Sequence, residues 1–480
     1  MARFSTKSVG TSKTTNRASG EAFVMKPVEQ LVQIVTTNLM GEPKYYGNVS
    51  EQMDEAIVQV ASKEPEFILK LAAYCRNELY LRTVSIYLLV KAANTVSCKP
   101  FVKKYVSKII KRADEIYEAM ACQLDLFKKP IPNSLKKALK EVFPNFDEYQ
   151  YAKYNRPTKV KFKDVIKLIH PKEPSEIIKK ILDDKLKTPK TWETEVSTKG
   201  STKENWENVI DTVWLRDNKI LNYMAMIRNI NNINKVGVSE KHWKKVMEAI
   251  ADLNAVKRSK QLPFRFYSVI KNTTVDDPFK NKELQIALNT ALNYSTENLP
   301  KLKGKTFTVA DTSGSMDSQI SRKSKMTCKE IACLMTAMTN KFSETAIAGV
   351  FGTNLSVVAD LTGNVLQDTT KLCNVNVGWS TNGYLTLWYL NEKKIFCDRI
   401  MIFTDEELYG GSINSELEKY KAINPDVKLY IINLNGYGET CVNIRSPNVI
   451  SVSGWSDKIL EFIATYEEGP GTFIEQIRKY

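Results

Sequence analysis

Histidine is almost missing from this chain of 480 residues, which has only His170 and His242. A serine nucleophile needs a base beside it, and both histidines lie outside the α/β half in which the serine-rich loop described below occurs, which argues against a Ser-His arrangement. GxSxG and GxxxxGK[ST] are absent too, so neither a nucleophile elbow nor a Walker-type phosphate loop is written here. No run approaches the roughly 20 apolar residues that span a bilayer. The opening MARFSTKSVGTSKTTNRASG has no apolar signal core, and reads as a flexible basic tail over 1–20, with a transit peptide as the alternative. The eight cysteines, at 75, 98, 122, 328, 333, 373, 397 and 441, form no CxxC pair. That pattern predicts reduced, mostly buried thiols in a cytoplasmic protein, with neither disulfides nor structural zinc.

What is abundant is positive charge, and it is uneven. Lys and Arg outnumber Asp and Glu by 50 to 34 over residues 1–300, an excess of +16, whereas residues 301–480 carry 19 against 20. A polyanion such as nucleic acid is the natural partner of the first part, although charge alone does not distinguish RNA, DNA and a membrane surface.

The hydrophobic period changes where the charge does. Residues 21–295 read almost wholly as helix. In FVKKYVSKIIKRADEIYEAM, Val102, Tyr105, Val106, Ile109, Ile110, Ala113, Ile116, Tyr117 and Met120 make one stripe, with Lys103, Lys104, Lys108, Lys111 and Arg112 opposite. Such helices in succession predict a helical, repeat-like array, each pair burying its face on the next. A lysine-containing linker, TENLPKLKGK, is expected at 296–305. Beyond it, strands at 306–310, 346–351, 355–358, 398–404, 427–433 and 448–452 alternate with helices at 326–342, 383–391, 412–422 and 456–466. That alternation predicts a doubly wound α/β domain over 306–480 with a parallel sheet.

The first of these strands ends in DTSGSMD. A carboxylate followed by two hydroxyls at alternate positions, at the carboxyl end of a strand, suits a hard cation such as magnesium, which takes six oxygens and keeps its waters readily. Asp311, Ser313 and Ser315 supply three oxygens, and Thr381 in VGWSTNG and Asp405 in FTDEE are the expected further sources.

These residues carry a resemblance. Asp311-x-Ser313-x-Ser315, Thr381 and Thr404-Asp405 resemble the metal-ion-dependent adhesion site of von Willebrand factor A domains, with Trp379-Ser380 standing where small residues are usual. Upstream, PEFILKLAAYCRNELYLRTVSIYLL, FDEYQYAKYNR, FKDVIKLIHPK, YMAMIRNINNI and KQLPFRFYSVIK resemble the TROVE module of the Ro family of RNA-binding proteins. Together they span about 21–480. The resemblance implies HEAT-like repeats over 21–295 that close into a ring, with the A domain bridging the two chain ends. It also implies a monomeric, non-catalytic binder in RNA quality control, whose ligands are small structured Y-like RNA and the single-stranded 3′ ends of misfolded RNA. By that match AKYNRPTKVKFKDVIKLIH contributes Lys153, Arg156, Lys163, Lys167 and His170 as RNA contacts, Arg156 being ambiguous with Lys159. The competing reading of the lysines is a solvated helix face, and of His170 a helix-end residue. Arg228 either faces the hole or serves an internal ion pair. In adhesion-type sites another protein's carboxylate completes the coordination, so a protein partner is implied. Two further functions compete: a metal-dependent protein adaptor with a merely solvated basic scaffold, and a metal-assisted phosphodiesterase using Asp311 and Asp405.

Overall fold

The three/four spacing of apolar residues in the first part becomes a succession of short helices. The computed structural model describes residues 13–15, 21–24, 26–37, 48–156, 158–215, 221–299, 301–320, 325–434, 439–443, 446, 448–453, 459, 460, 463, 464, 467 and 473–480. Helix Phe67–Asn77 lies against Arg82–Asn94, and both are buried over most of their length because most of their residues are apolar. The stripe over 102–120 is cut into helices Val102–Ile109 and Asp114–Cys122. Ile110 between them is extended, and the Glu115 carboxylate accepts the N–H groups of Lys111 at 2.7 Å and Arg112 at 3.1 Å, pinning the turn that leads into the second helix. All nine residues of the stripe are still buried.

Two expectations fail at the start of the chain. Lys13–Thr15 in the expected tail is strand β1, and Glu21–Val24, expected helical, is β2, paired antiparallel with it. The remainder of the 1–20 tail lies outside the described residues.

The second part is a six-stranded sheet in the order β5-β4-β3-β6-β7-β9. Here β3 is Leu302–Asp311, β4 Ser343–Phe351, β5 Leu355–Val358, β6 Arg399–Thr404, β7 Lys428–Asn433, β8 Glu439–Thr440 and β9 Val449–Ser453. The expected linker at 296–305 is largely structured: Thr296–Asn298 is a helical turn and β3 begins at the buried Leu302. A register shift between Leu302 and Lys305 accommodates Gly304 at φ 77°, a left-handed position that suits glycine. The sheet is mixed, because β5 runs antiparallel to β4. Only three residues, 352–354, join these strands, and a parallel return needs a crossover of about a dozen. Helices Cys328–Phe342, Leu385–Lys393 and Ile413–Ile423 fall close to expectation, while Val365–Cys373 is an additional helix. Of the expected helix at 456–466, residues 459, 460, 463 and 464 are helical and the rest lie outside the described residues.

Alternation along the strands divides the apolar side chains between two faces. Phe307, Val309, Ile400, Ile402, Leu429 and Ile431 point toward the helices of 385–423. Ala310, Val350, Met401, Phe403, Tyr430 and Ile432 point the other way, into a core that continues without a break through helix Cys328–Phe342 to the helices of 203–295. The helices of 27–182 have a separate core. One residue from the far end of the chain belongs to it: Ile477, fully buried, in helix Phe473–Lys479.

That helix returns the chain to its beginning. Arg478 bonds both oxygens of Glu64 at 2.9 and 3.0 Å, the Lys70 ammonium donates to the Arg478 carbonyl, and the Tyr480 ring meets Tyr74 edge-on at 5.8 Å. A second link joins β2 to β8, pairing Phe23 with Thr440 and Val24 with Glu439. The helical array therefore closes through the α/β domain. Truncating Ile477 to Ala should cost about 2–5 kcal/mol of local stability, seen as faster amide exchange in both 473–480 and 67–77. Unchanged protection in 67–77 would mean that the contact does not hold the closure.

Candidate metal centre and nucleic-acid interface

Strands β3 and β6 are neighbours, and the connections leaving them run to opposite sides of the sheet, β3 to β4 and β6 to β7. Their carboxyl ends therefore flank a topological switch point, where an open α/β sheet has its crevice. Asp311 ends β3 and Asp405 follows β6. Asp311 is fully buried and accepts the Ser313 N–H at 2.9 Å and the Thr404 hydroxyl at 2.6 Å. The Ser313 and Ser315 hydroxyls stand 3.4 Å apart. Asp405 is buried as well, with one carboxylate oxygen receiving the Glu407 N–H at 3.2 Å and the other, Oδ2, left with no hydrogen-bond partner among the described residues.

Thr381 reaches this crevice through backbone bonds on both sides. The Trp379 carbonyl accepts the Gly314 N–H at 3.1 Å, and the Thr381 carbonyl accepts the Tyr409 N–H at 3.1 Å, so the 379–381 loop is tied to the DTSGS loop and to the loop after Asp405. Thr381 itself is buried. Trp379 does not close the rim: its indole lies over Gly314 and is 77% exposed.

Burial pushes the Asp311 carboxyl up to about 7, and the Asp405 charge adds to the rise. Burial also raises Asp405, with the Ser315 hydroxyl acting in the opposite direction. Two buried carboxylates, one with an orphaned oxygen, beside convergent hydroxyls form an all-oxygen set lacking a positive charge. That set fits a hard divalent cation and offers nothing to a soft one. Sequence reasoning missed Glu406, which sits in the left-handed region at φ 64° and is buried. It accepts the Cys441 N–H at 2.8 Å and the Ser451 hydroxyl at 3.3 Å, anchoring the Asp405 loop to the segments around β8 and β9. Burial pushes its carboxyl up to about 7.

The six expected RNA contacts divide by their partners. Arg156 pairs with Glu193 at 2.9 Å, and Lys163 pairs with Asp184. Lys159, the alternative to Arg156, pairs with Asp125. Lys153, Lys167 and Arg228 have no ion-pair partner among the described residues, and Lys167 and Arg228 are exposed. His170 ends helix Phe162–Ile169 at φ 48°, its N–H closing onto the Ile166 carbonyl at 3.0 Å while the side chain is exposed. The helix-end reading therefore describes its backbone and leaves the ring available.

Around Lys153 lies a cluster the sequence did not disclose. On helix Glu148–Tyr154, the Lys153 ammonium sits 5.9 Å from the Tyr149 ring centre and 5.6 Å from that of Tyr154. The Arg112 guanidinium lies 4.5 Å over Tyr154 and is held by Asp114 at 2.6 and 3.0 Å. The i, i+4 spacing of Tyr149 and Lys153 is visible in the sequence, but the approach of Arg112 is a tertiary contact.

Fold and site together define a helical-repeat module joined to a von Willebrand factor A-type domain. The chain matches the TROVE domain over residues 46–183 and 182–328, and the Ro60 vWA domain over 306–467. It belongs to the Ro family. Telomerase protein component 1 of Rattus norvegicus is 27% identical over 300 residues, and that of Mus musculus 26%; each match covers 44% of this chain and 11% of the relative. The chain thus spans about a tenth of the length of these curated relatives. The crystal structure of the Deinococcus radiodurans RO (RSR) protein superposes with a TM-score of 0.66 at 13% identity, covering 92% of this chain and all of that one.

The raised carboxyls give the stability of metal-free protein a defined pH dependence. Unfolded, Asp311 loses its proton near the ordinary 3.8, and folded it keeps it to about 7. Between those limits the native state binds the extra proton, so stability falls as pH rises from about 4 to about 7 and levels off above. Glu406 contributes with the same sign. Denaturation of chelator-treated protein across this range should show the fall, and Asp311→Asn should remove part of it; an unchanged slope in that variant would assign it to other groups.

Proposed function

We propose that this protein binds RNA through its basic helical module, and that its A-type domain holds a divalent cation. In this reading the ligands are small structured Y-like RNA and the free single-stranded 3′ ends of misfolded RNA. The protein acts in the cytoplasm as a monomeric binder in RNA quality control, not as a catalyst. The observation that carries the RNA reading is uncompensated charge: the +16 excess falls entirely in residues 1–300, and there Lys153, Lys167 and Arg228 lack acidic partners among the described residues. Each phosphate neutralised by such a cation releases counterions, so binding is steep in salt and reads little sequence. Discrimination comes from shape and unpaired bases.

Asp311, Ser313, Ser315, Thr381 and Asp405 would hold the cation, with magnesium the expected ion. The bound cation supplies a positive charge at which a carboxylate from another protein completes the coordination. A 77% exposed tryptophan beside the site favours a protein as that partner, since apolar surface of this size gains most by being covered. This is also what the adaptor reading would use, and the two differ in whether RNA binding depends on Lys153, Lys163 and Lys167.

A salt-series titration tests the proposal, using an RNA helix with a 3′ single strand against the same helix with blunt ends. The tailed RNA should bind more tightly, and Lys153→Gln or Lys167→Gln should each flatten the log–log salt slope by about 0.7, the value of one single-strand phosphate. Equal, weak binding of both RNAs would favour the adaptor. Magnesium at a hundredfold excess over its dissociation constant should stabilise the protein by about 2.7 kcal/mol. That gain should vanish in Asp311→Asn while RNA affinity is kept.

A further inference from the structure

We infer that Tyr149 and Lys153 form a subsite for an unpaired nucleobase and its phosphate, Tyr149 stacking on the base while Lys153 takes the charge. The inference rests on the RNA reading above and deepens it, because it assigns a base contact where charge alone predicts only phosphate contacts.

Three observations converge on this helix. Tyr149 is 49% exposed, so a large part of its ring is open to a ligand. Lys153, one turn further on, has two aromatic rings beside it and no carboxylate partner among the described residues, unlike Arg156, Lys159 and Lys163. Its charge is thus not spent on an acid among the described residues. Finally, the helix is fixed before any ligand arrives. Asp147 accepts the Gln150 N–H at 2.7 Å while the Gln150 side chain accepts the Asp147 N–H at 3.0 Å, a reciprocal cap. Tyr151 is fully buried, with ring centres at 4.9 Å from Phe143 and 5.0 Å from Phe162, and its hydroxyl donates to the Phe143 carbonyl at 2.6 Å. A ligand meeting this surface therefore pays little ordering cost.

The neighbouring ring shows what sets Tyr149 apart. Arg112 already covers Tyr154 at 4.5 Å, and Asp114 holds that guanidinium in place. Tyr149 has Lys153 near it and no guanidinium over its face among the described residues. Every nucleobase has a π-face, so a platform of this kind accepts any base, and a cation one turn away suits the adjoining phosphate. A folded protein surface would have to present an aromatic or arginine group at the same spacing from an acid, whereas single-stranded RNA repeats base and phosphate along its whole length.

The test uses the full chain and a fluorescent 12-nucleotide single-stranded RNA, together with a strand of equal length whose sugars carry no bases. Wild-type protein should prefer the base-bearing strand. Tyr149→Ala should lose about 5- to 150-fold on that strand, the range of one base–aromatic stack, with its salt slope unchanged, and should bind the abasic strand as wild type does. Tyr149→Phe should retain binding, because it keeps the ring. Lys153→Gln should weaken both strands and flatten the slope. Wild-type affinity in Tyr149→Ala, or an equal loss on both strands, overturns the subsite while leaving the RNA reading intact. Failure of wild-type protein to bind either strand overturns both.

Discussion

The geometry of this protein depends on the docking of its last eight described residues onto its first helices. Apolar packing makes the α/β sheet and the helices of 203–295 one continuous core, while the helices of 27–182 keep a core of their own. Between the two stand chain connectivity and polar contacts such as Arg156 with Glu193. Ile477 crosses that division. A single buried isoleucine is worth only a few kcal/mol, but here it is backed by Arg478 on Glu64 and Tyr480 on Tyr74. Without it the closure would rest on the pairing of β2 with β8.

The α/β domain concentrates a different physics at the edge of its sheet. Asp311 and Asp405 are brought together at the switch point by strand order, buried from water and with no ion-pair partner among the described residues. Both carboxyls are pushed up in consequence. Such an arrangement stores a demand for positive charge, which protons meet at low pH and a divalent cation can meet above it. Glu406, strained at positive φ and bonded to Cys441 and Ser451, keeps the Asp405 loop from relaxing that demand.

On the helical module the opposite problem is solved unevenly. Many of its cations are answered by acids on neighbouring helices, as Lys103 is by Glu141 and Lys180 by Glu148. Exposed pairs of this kind contribute little to stability, but they decide which positive charges remain for a polyanion. Others, Lys153, Lys167 and Arg228 among them, have no acidic partner among the described residues, and Lys153 lies beside two aromatic rings.

Much of this was legible in the sequence because it is local. Periods of 3.6 and 2 separate the helical module from the α/β domain, and the DTSGS loop and Asp405 each carry their own strand-end context. The excess charge of the first 300 residues needs only counting. Elsewhere the tertiary structure decided. Arg156 and Lys163 are paired because Glu193 and Asp184, 37 and 21 residues further on, fold back beside them. Arg112 covers Tyr154 from another helix, and the C-terminal helix crosses to residues more than 400 positions away. Backbone periodicity follows from near neighbours along the chain, but charge compensation and closure follow from distance in space, which the order of residues does not state.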